Sequence, residues 1–248
     1  MSDDAHALEE AKLQEIGEAY DHEAPFDIIM RDYMMRSFEP FWREGSCLQI
    51  GCSHGDQTTM LATVFDDLTV VDATAEFIEF TRRRTGDKPI DYVRTMVEDY
   101  KPAKRFDNIV ITHVLEHLID PVAVIKHLRD LLTPTGRLFL AVPNGNAASR
   151  MIAVKMGVLS HLGDLSAADV EAGHRRVYQL DTLCKDAIDG GLKIAQSGGI
   201  FFKPLANFQL NALMGGDLIS DDFMEGCYQL GKEWPHLCAS IYAIGEPA

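Results

Sequence analysis

Apolar and polar positions follow two different spacings along this 248-residue chain. Short apolar runs predict seven strands, at 47–50, 68–72, 90–94, 107–112, 137–142, 192–197 and 238–244. Amphipathic spacing predicts helices between most of these strands, at 57–65, 75–84, 121–132 and 181–190. Strands and helices in this order favour an α/β fold, with a mostly parallel sheet and helices on both of its faces.

Three segments lie outside this regular order. The N-terminal segment, 1–42, has helical spacing at 3–20 and again from residue 25 onward. Two insertions follow the fifth and sixth strands, at 144–176 and 204–234. Ligands of open α/β sheets bind beyond the carboxyl ends of the strands, so the apolar first insertion predicts a helical lid over a ligand site. We expect a single domain over all 248 residues.

Charge and cysteine content indicate which binding partners and which cellular compartment the sequence favours. Acidic residues outnumber basic ones by 38 to 23, which gives a net charge of −15 and disfavours binding to nucleic acid or anionic lipid. The five cysteines lack C-x-x-C spacing, which indicates reduced thiols. No apolar run approaches the ~18 residues that a membrane span needs, and no signal-like segment is present. We therefore expect a cytoplasmic protein without a membrane span.

A glycine-bearing turn between the first strand and its helix carries the clearest chemical signal. Gly51 and Gly55 lie in this turn, and the next strand ends at Asp72. Such a turn lets backbone N–H groups approach a ligand, and a carboxylate roughly 20 residues later accepts hydrogen bonds from ribose hydroxyls. The pattern predicts a Rossmann-like fold that binds a ligand containing a nucleoside.

A group of ionisable residues follows the fourth strand. His113, Glu116 and His117 are spaced to share one face of a helical turn. This spacing suits metal ligands, and an imidazole can equally serve as a general base near neutral pH. Arg175 and Arg176 could clamp a carboxylate or phosphate of a substrate, because a guanidinium fork matches such groups. A purely structural role for these residues remains an alternative.

Four sequence blocks in order resemble the class I S-adenosylmethionine-dependent methyltransferases. They are LQIGCSHG at 48–55, VVD at 70–72, FDNIVITHVLEHLIDP at 106–121 and GRLFLAVPN at 136–144. The third block, together with GHRRVY at 173–178, is most similar to the ubiquinone-biosynthesis O-methyltransferases and their relatives that act on sugars and other small metabolites. The resemblance implies methyl transfer from S-adenosylmethionine to a small polar acceptor, with a hydroxyl favoured over an amine.

The resemblance also implies roles for individual residues in holding the cofactor. Tyr20 would close over the cofactor, and Gly51, Cys52 and Gly55 would form the turn against it. Asp72, with Ala73 beside it, would hold the ribose hydroxyls. Val97 and Glu98 would border the adenine, and His113 would border the methionine end. The sequence departs from the family pattern at Gln49, where an acid is usual, at Ser53, where glycine is usual, and at Met96, where Asp is frequent. Gln49 supplies no charge toward the cofactor's ammonium group.

On the acceptor side, the resemblance implies catalytic roles for His117 and His174 and substrate contacts for Arg175, Arg176 and Tyr178. Relatives hold a divalent ion with Glu-x-x-Glu-His and a later His, and Glu116, His117 and His174 match that set. His113 stands in place of the first Glu. Imidazole suits Mg²⁺ poorly, so a metal is the less favoured alternative to a base. We expect His117 and His174 to face each other across the acceptor pocket.

The sequence is also compatible with two other functions. A nicotinamide-dependent oxidoreductase fits Asp72, but it requires a third glycine that the turn lacks. A methyltransferase-like protein that binds the cofactor without catalysis would be consistent with Gln49 and Ser53. We expect a small-molecule acceptor, no nucleic-acid partner and, as a further hypothesis, a homodimer.

Overall fold

The computed structural model describes residues 24–214, 216 and 218–248. The helix predicted at 3–20, and Tyr20 with it, lie outside the described residues. One sheet contains seven strands: β1 Cys47–Ile50, β2 Leu68–Asp72, β3 Ile90–Arg94, β4 Phe106–Thr112, β5 Leu132–Pro143, β6 Leu192–Phe202 and β7 Cys238–Pro247. The helices are α1 Pro25–Phe38, α2 Asp56–Val64, α3 Ala75–Thr85, α4 Pro121–Asp130, α5 Ala148–Lys155, α6 Ala167–Glu171, α7 Leu180–Asp189, α8 Asn207–Leu213 and α9 Asp221–Glu233.

The strand order in the sheet is β3-β2-β1-β4-β5-β7-β6. The first five strands pair in parallel, whereas β7 runs antiparallel to both of its neighbours, β5 and β6. All strands of this sheet except β7 therefore run in the same direction, and their carboxyl ends meet at one edge. The predicted fold class, a mostly parallel seven-stranded sheet with helices on both faces, is confirmed.

Both faces of the sheet are buried, because successive strand residues point to opposite sides. In β4, Val110 packs with α1 and α9 in one apolar cluster, whereas Ile109 and Ile111 pack with α4 and α7 in the other. Tyr33 of α1 stacks on Tyr228 of α9, with ring centroids 4.5 Å apart. These contacts fix α1 beside the edge where the strands end.

Several predicted boundaries differ from the structure. The helix predicted at 121–132 ends at Asp130, because Leu132 already pairs with Phe106 as the first residue of β5. Asn108 pairs with Arg137, so the four residues 133–136 bulge out of the ladder. Strand β6 extends beyond the predicted 192–197 to Phe202.

The two insertions contain short helices. The first, 144–176, holds α5 and α6, and the second, 204–234, holds α8 and α9. Helix α6 begins with a capping box, in which Ser166 and Asp169 bond to each other's backbone N–H groups. None of the helices in the described part of the chain has the length and apolar composition needed to cross a bilayer.

Candidate active site

A cavity of about 770 Å³ opens at the carboxyl edge of the sheet. Residues of both insertions line it together with the strand ends, so the segment predicted as a lid does border the site. We call one part the cofactor half, lined by Gly51, Cys52, Asp72, Val97 and Glu98. We call the other part the acceptor half, lined by Glu116, His117, Asp169, His174 and Lys203.

The turn after β1 needs three residues with positive φ. They are Gly51 at 78°, Ser53 at 47° and Gly55 at 83°. A Cβ at Gly51 would lie 2.8 Å from the Cγ2 of Val114, so glycine is required there for space as well as for conformation. Gly55 caps the start of α2, and it is the one predicted turn residue that does not line the cavity.

Asp72, at the end of β2, holds the turn in place. Its Oδ2 accepts a hydrogen bond of 2.8 Å from the backbone N of Cys52, and its Oδ1 accepts one of 2.8 Å from the N of Thr74. Burial raises the pKa of Asp72, and these backbone donors oppose the rise. Each carboxylate oxygen retains acceptor capacity, which ribose hydroxyls can use.

Gln49 supports the same turn from inside the sheet. Its side chain is buried, its Nε2 donates to the carbonyl of Gly51 at 3.0 Å, and its Oε1 accepts from the hydroxyl of Thr58 at 2.8 Å. A neutral amide satisfies both of these partners, whereas a carboxylate there could not donate to the carbonyl. The departure from the family pattern is therefore consistent with a structural role for Gln49.

His113 follows β4 with a φ of 54°, and both of its ring nitrogens are engaged. Arg31 of α1 lies 3.3 Å from Nδ1, and the Ser240 hydroxyl lies 3.0 Å from Nε2. A guanidinium only donates, so Nδ1 accepts and the proton resides on Nε2. Burial, and then the charge of Arg31, holds the pKa of His113 well below its usual value. This neutral imidazole is not available to replace the glutamate of a metal-ligand set.

Glu116, His117 and His174 lie together in the acceptor half. One ligand atom from each lies within 4.8 Å of the others, and the two imidazole centroids are 4.9 Å apart. Glu116 is 1% exposed, and neither of its carboxyl oxygens accepts a hydrogen bond within the described ranges. Burial raises the pKa of Glu116 to about 7. The structure brings the predicted pair of histidines together with their rings nearly perpendicular, at an interplanar angle of 81°, and their catalytic role stays a prediction.

Asp169 of α6, which sequence reasoning missed, orients His174. Its Oδ1 lies 3.2 Å from Nδ1 of His174, and its Oδ2 lies 3.0 Å from Arg150 of α5. Burial opposes the charge of Asp169, but hydrogen bonds from His174, Ser166 and Arg150 hold its pKa well below the usual value. The Asp-x-x-x-x-His spacing on a short capped helix was the only available signal in the sequence.

The three predicted substrate residues are not among the residues that line the cavity, and their contact with a substrate stays a prediction. Arg175 donates from Nε to the carbonyl of His117 at 2.8 Å, and Arg176 donates to the carbonyl of Ile119 at 3.1 Å. Tyr178 is buried in the core cluster on the α4 and α7 face. The two arginines brace the loop after β4, because its carbonyls lie within reach of their guanidinium groups.

The remaining predicted cofactor residues border the cavity at adjacent strand ends. Ala73 follows β2, and Val97 and Glu98 form a short 3₁₀ turn after β3. Arg31 and Lys203 also line the cavity, and sequence reasoning identified neither of them. Arg31 lies within a helix and Lys203 follows an apolar strand, so no local motif marks either residue.

Residues 20–197 match the family model described as a methyltransferase domain. The chain belongs to this methyltransferase family. It is 28% identical over 187 residues to a ubiquinone biosynthesis O-methyltransferase of Bradyrhizobium diazoefficiens, with 72% of each chain covered. It is 40% identical over 93 residues to nodulation protein S of the same species, covering 36% of this chain and 44% of that one. The chain spans about half the length of several of these curated relatives.

Solved structures of methyltransferases share this fold. The N-methyltransferase NodS of Bradyrhizobium japonicum WM9, in complex with S-adenosylhomocysteine, superposes with a TM-score of 0.60 at 18% identity, over 96% of this chain and 98% of that one. A possible histamine N-methyltransferase of Thermotoga maritima gives a TM-score of 0.64 at 13% identity, over 95% and 100% of the two chains. At these identities the likeness establishes the fold.

Proposed function

We propose that this protein binds S-adenosylmethionine and transfers the methyl group to a hydroxyl of a small polar acceptor. One observation carries the proposal. The turn held by Asp72 opens into the same cavity as the cluster of Glu116, His117 and His174. A nucleoside site and a base cluster in one enclosed space match the needs of methyl transfer from a sulfonium, in which the nucleophile, methyl carbon and sulfur must align away from water.

The cofactor has complementary groups along the cofactor half. Asp72 would accept the ribose hydroxyls, and Val97 would lie along the adenine. The methionine carboxylate needs a cation, and Arg31 lines the cavity with its guanidinium positioned by His113. A guanidinium matches a carboxylate in geometry and charge. We therefore add Arg31 to the predicted cofactor residues.

His174 is the proposed general base. Asp169 only accepts hydrogen bonds, so it receives the Nδ1–H of His174 and leaves Nε2 as the basic nitrogen. A hydroxyl must lose its proton as it attacks, and an oriented imidazole can take that proton. Glu116 would contact the acceptor beside this imidazole, since its oxygens accept no hydrogen bond in the described part of the chain.

Transfer to an amine is the second candidate. The carboxyl of Glu116 could accept an N–H of a bound amine as well as an O–H of a bound alcohol. Nodulation protein S, which matches part of this chain, shares its name with the N-methyltransferase NodS. A neutral amine attacks without a base, so the two candidates differ in how much they depend on His174.

Isotope-labelled S-adenosylmethionine and paired acceptors, hydroxybenzoates and the matching aminobenzoates, test the proposal. We expect label in the hydroxy compounds, and we expect His174→Ala to lower that turnover by about 10² without changing the affinity for S-adenosylhomocysteine. His161→Ala, on an exposed part of the first insertion, is the control and should retain full turnover. Label only in the amines would establish the second candidate. Binding of NAD in place of S-adenosylhomocysteine would reject both.

A divalent transition metal is the remaining alternative at this cluster. Glu116, His117 and His174 would hold it, and it would acidify the acceptor hydroxyl as a Lewis acid. Dialysis against a chelator separates this alternative from the proposal. Turnover that survives the chelator is the expected result, and turnover restored only by added metal would assign the cluster to a metal.

A further inference from the structure

The cavity contains basic side chains although the chain as a whole is acidic. The chain carries 38 acidic and 23 basic residues, so its outer surface repels anions at long range. Lysine or arginine lines the cavity at three positions, Arg31, Arg150 and Lys203, beside six carboxylates: Asp27, Asp56, Asp72, Glu98, Glu116 and Asp169. A desolvated cation is costly unless an anion pairs with it, so the partner of each of the three cations decides whether it has a charge to offer a ligand.

Two of these three cations already have partners. Arg31 contacts Nδ1 of His113 at 3.3 Å, and Arg150 contacts Oδ2 of Asp169 at 3.0 Å. Lys203 forms no ion pair with any described residue, and its ammonium lies over the ring of Phe26, 5.7 Å from Nζ to the centroid. Arg31 and Lys203 therefore carry charges that no ion pair in the described structure compensates, and Lys203 is the one of the two that lines the acceptor half.

The backbone of Lys203 is held firmly even though its ammonium forms no ion pair in the described part of the chain. It directly follows β6, its carbonyl accepts from the N of Ser149 at 2.9 Å, and its N donates to the carbonyl of Leu237 at 3.3 Å. These bonds connect it to the start of the first insertion and to the turn that precedes β7. A backbone fixed on both sides costs no further ordering when a ligand binds, which is how binding sites are pre-organised.

We propose that the acceptor carries an anionic group, a carboxylate or a phosphate, and that the Lys203 ammonium binds it in the acceptor half. The inference rests on the proposed function, because it defines the molecule that receives the methyl group. The anion would lie near Arg150 and Asp169, and hence on the same side of the cavity as His174. An acceptor fixed at this point and at Glu116 would have its nucleophile oriented by two contacts.

The electrostatics of Lys203 agree with this assignment. Burial lowers its pKa to about 8, and the charged groups that act on it are Asp27 from α1, Arg150 from α5 and Asp169 from α6. Asp169 is already bonded to Arg150 and His174. A bound anion would restore the pKa of Lys203 toward its ordinary value, since an opposite charge nearby favours the ammonium.

Calorimetric titration of the full chain, saturated with S-adenosylhomocysteine, tests the proposal with three probes: benzoate, phenyl phosphate and the neutral benzamide. We expect at least one anionic probe to bind more tightly than benzamide, and the better of the two identifies the anion. Lys203→Met should weaken that probe about tenfold or more, whereas Lys203→Arg, which keeps the charge, should retain most of the affinity. Lys193→Met, at the exposed opposite end of β6, is the matched control and should change nothing.

The possible outcomes distinguish a failure of the Lys203 proposal from a failure of the proposed methyltransferase function. Equal affinity of the wild type and Lys203→Met for the anionic probes would overturn the role of Lys203, and so would a parallel loss of benzamide binding. Failure of both anionic probes to bind the wild type would also overturn it. Retained binding of S-adenosylhomocysteine by Lys203→Met confirms that the variant is folded. A wild type that does not bind S-adenosylhomocysteine would instead contradict the cofactor assignment, and the anion comparison can be repeated without that ligand.

Discussion

The two halves of the cavity differ in how their polar groups are satisfied. In the cofactor half, Asp72 accepts from two backbone N–H groups and Gln49 bonds at both ends of its amide. In the acceptor half, the oxygens of Glu116 accept no hydrogen bond and the ammonium of Lys203 forms no ion pair within the described ranges. The cofactor half is thus complete as a scaffold, whereas the acceptor half contains groups whose partners the ligand must supply.

The unsatisfied groups of the acceptor half affect the stability of the folded protein. A buried polar group without a partner lowers stability, because it has lost water and gained nothing in return. Such groups persist at functional sites, where the loss of stability is compensated elsewhere in the fold. Neutralising the unsatisfied groups of the acceptor half should therefore raise stability while it lowers function, and changes in the cofactor half should lower cofactor affinity.

The largest expected effect is at Glu116. Its folded-state pKa of about 7 lies above the ordinary value of 4.5, so the folded state binds the proton more tightly and stability falls as the pH rises from about 4.5 to about 7. Glu116→Gln removes this dependence. We expect the variant to be more stable than the wild type by about 3 kcal/mol at pH 8, and to match it near pH 4.

Urea unfolding at several pH values measures this difference. Glu171→Gln, on an exposed position of α6, is the control and should track the wild type throughout. A Glu116→Gln variant without a stability gain at pH 8 would mean that the carboxyl has a partner in the folded protein, which would remove the main contrast between the two halves.

The second effect is at Asp72, in the cofactor half. Asp72→Ala removes the acceptor for the ribose and frees the N–H groups of Cys52 and Thr74, so the affinity for S-adenosylhomocysteine should fall by about 1 to 3 kcal/mol. Asp91→Ala, at an exposed position of β3, provides the matched control. Calorimetry should show benzoate binding to the same variant unchanged. Loss of both ligands together would indicate that the halves are not independent.

The smallest effect is at Ser53, where the chain adopts a φ of 47° without a glycine. A left-handed conformation costs a side-chain-bearing residue about 1 kcal/mol, and the greater freedom of unfolded glycine offsets part of that cost. We expect Ser53→Gly to raise stability by about 0.5 kcal/mol in urea unfolding. Ser53→Ala, which keeps the Cβ, should show no gain, and an equal gain in both variants would disprove the conformational explanation.

The spacing of apolar residues predicted the strands of the sheet, and two glycines followed by an aspartate predicted the cofactor turn. Both signals are local in the sequence. The position of β7 between β5 and β6 has no local signal, since it arises from pairing across the sheet. The same limit applies to the site. The turn residues and Asp72 share one motif, whereas Arg31, Asp169 and Lys203 reach the cavity from three separate elements.

The placement of β7 also constrains the order of folding. Strand β6 pairs only with β7 in the described sheet, from Leu192 with Pro247 to Phe202 with Cys238. Until β7 arrives, β6 is an unpaired edge that carries Ile200 and Phe201, and such edges pair with those of other molecules. Long-range pairing of this kind is slow. Conditions that delay the docking of β7 during refolding should therefore favour aggregation through β6.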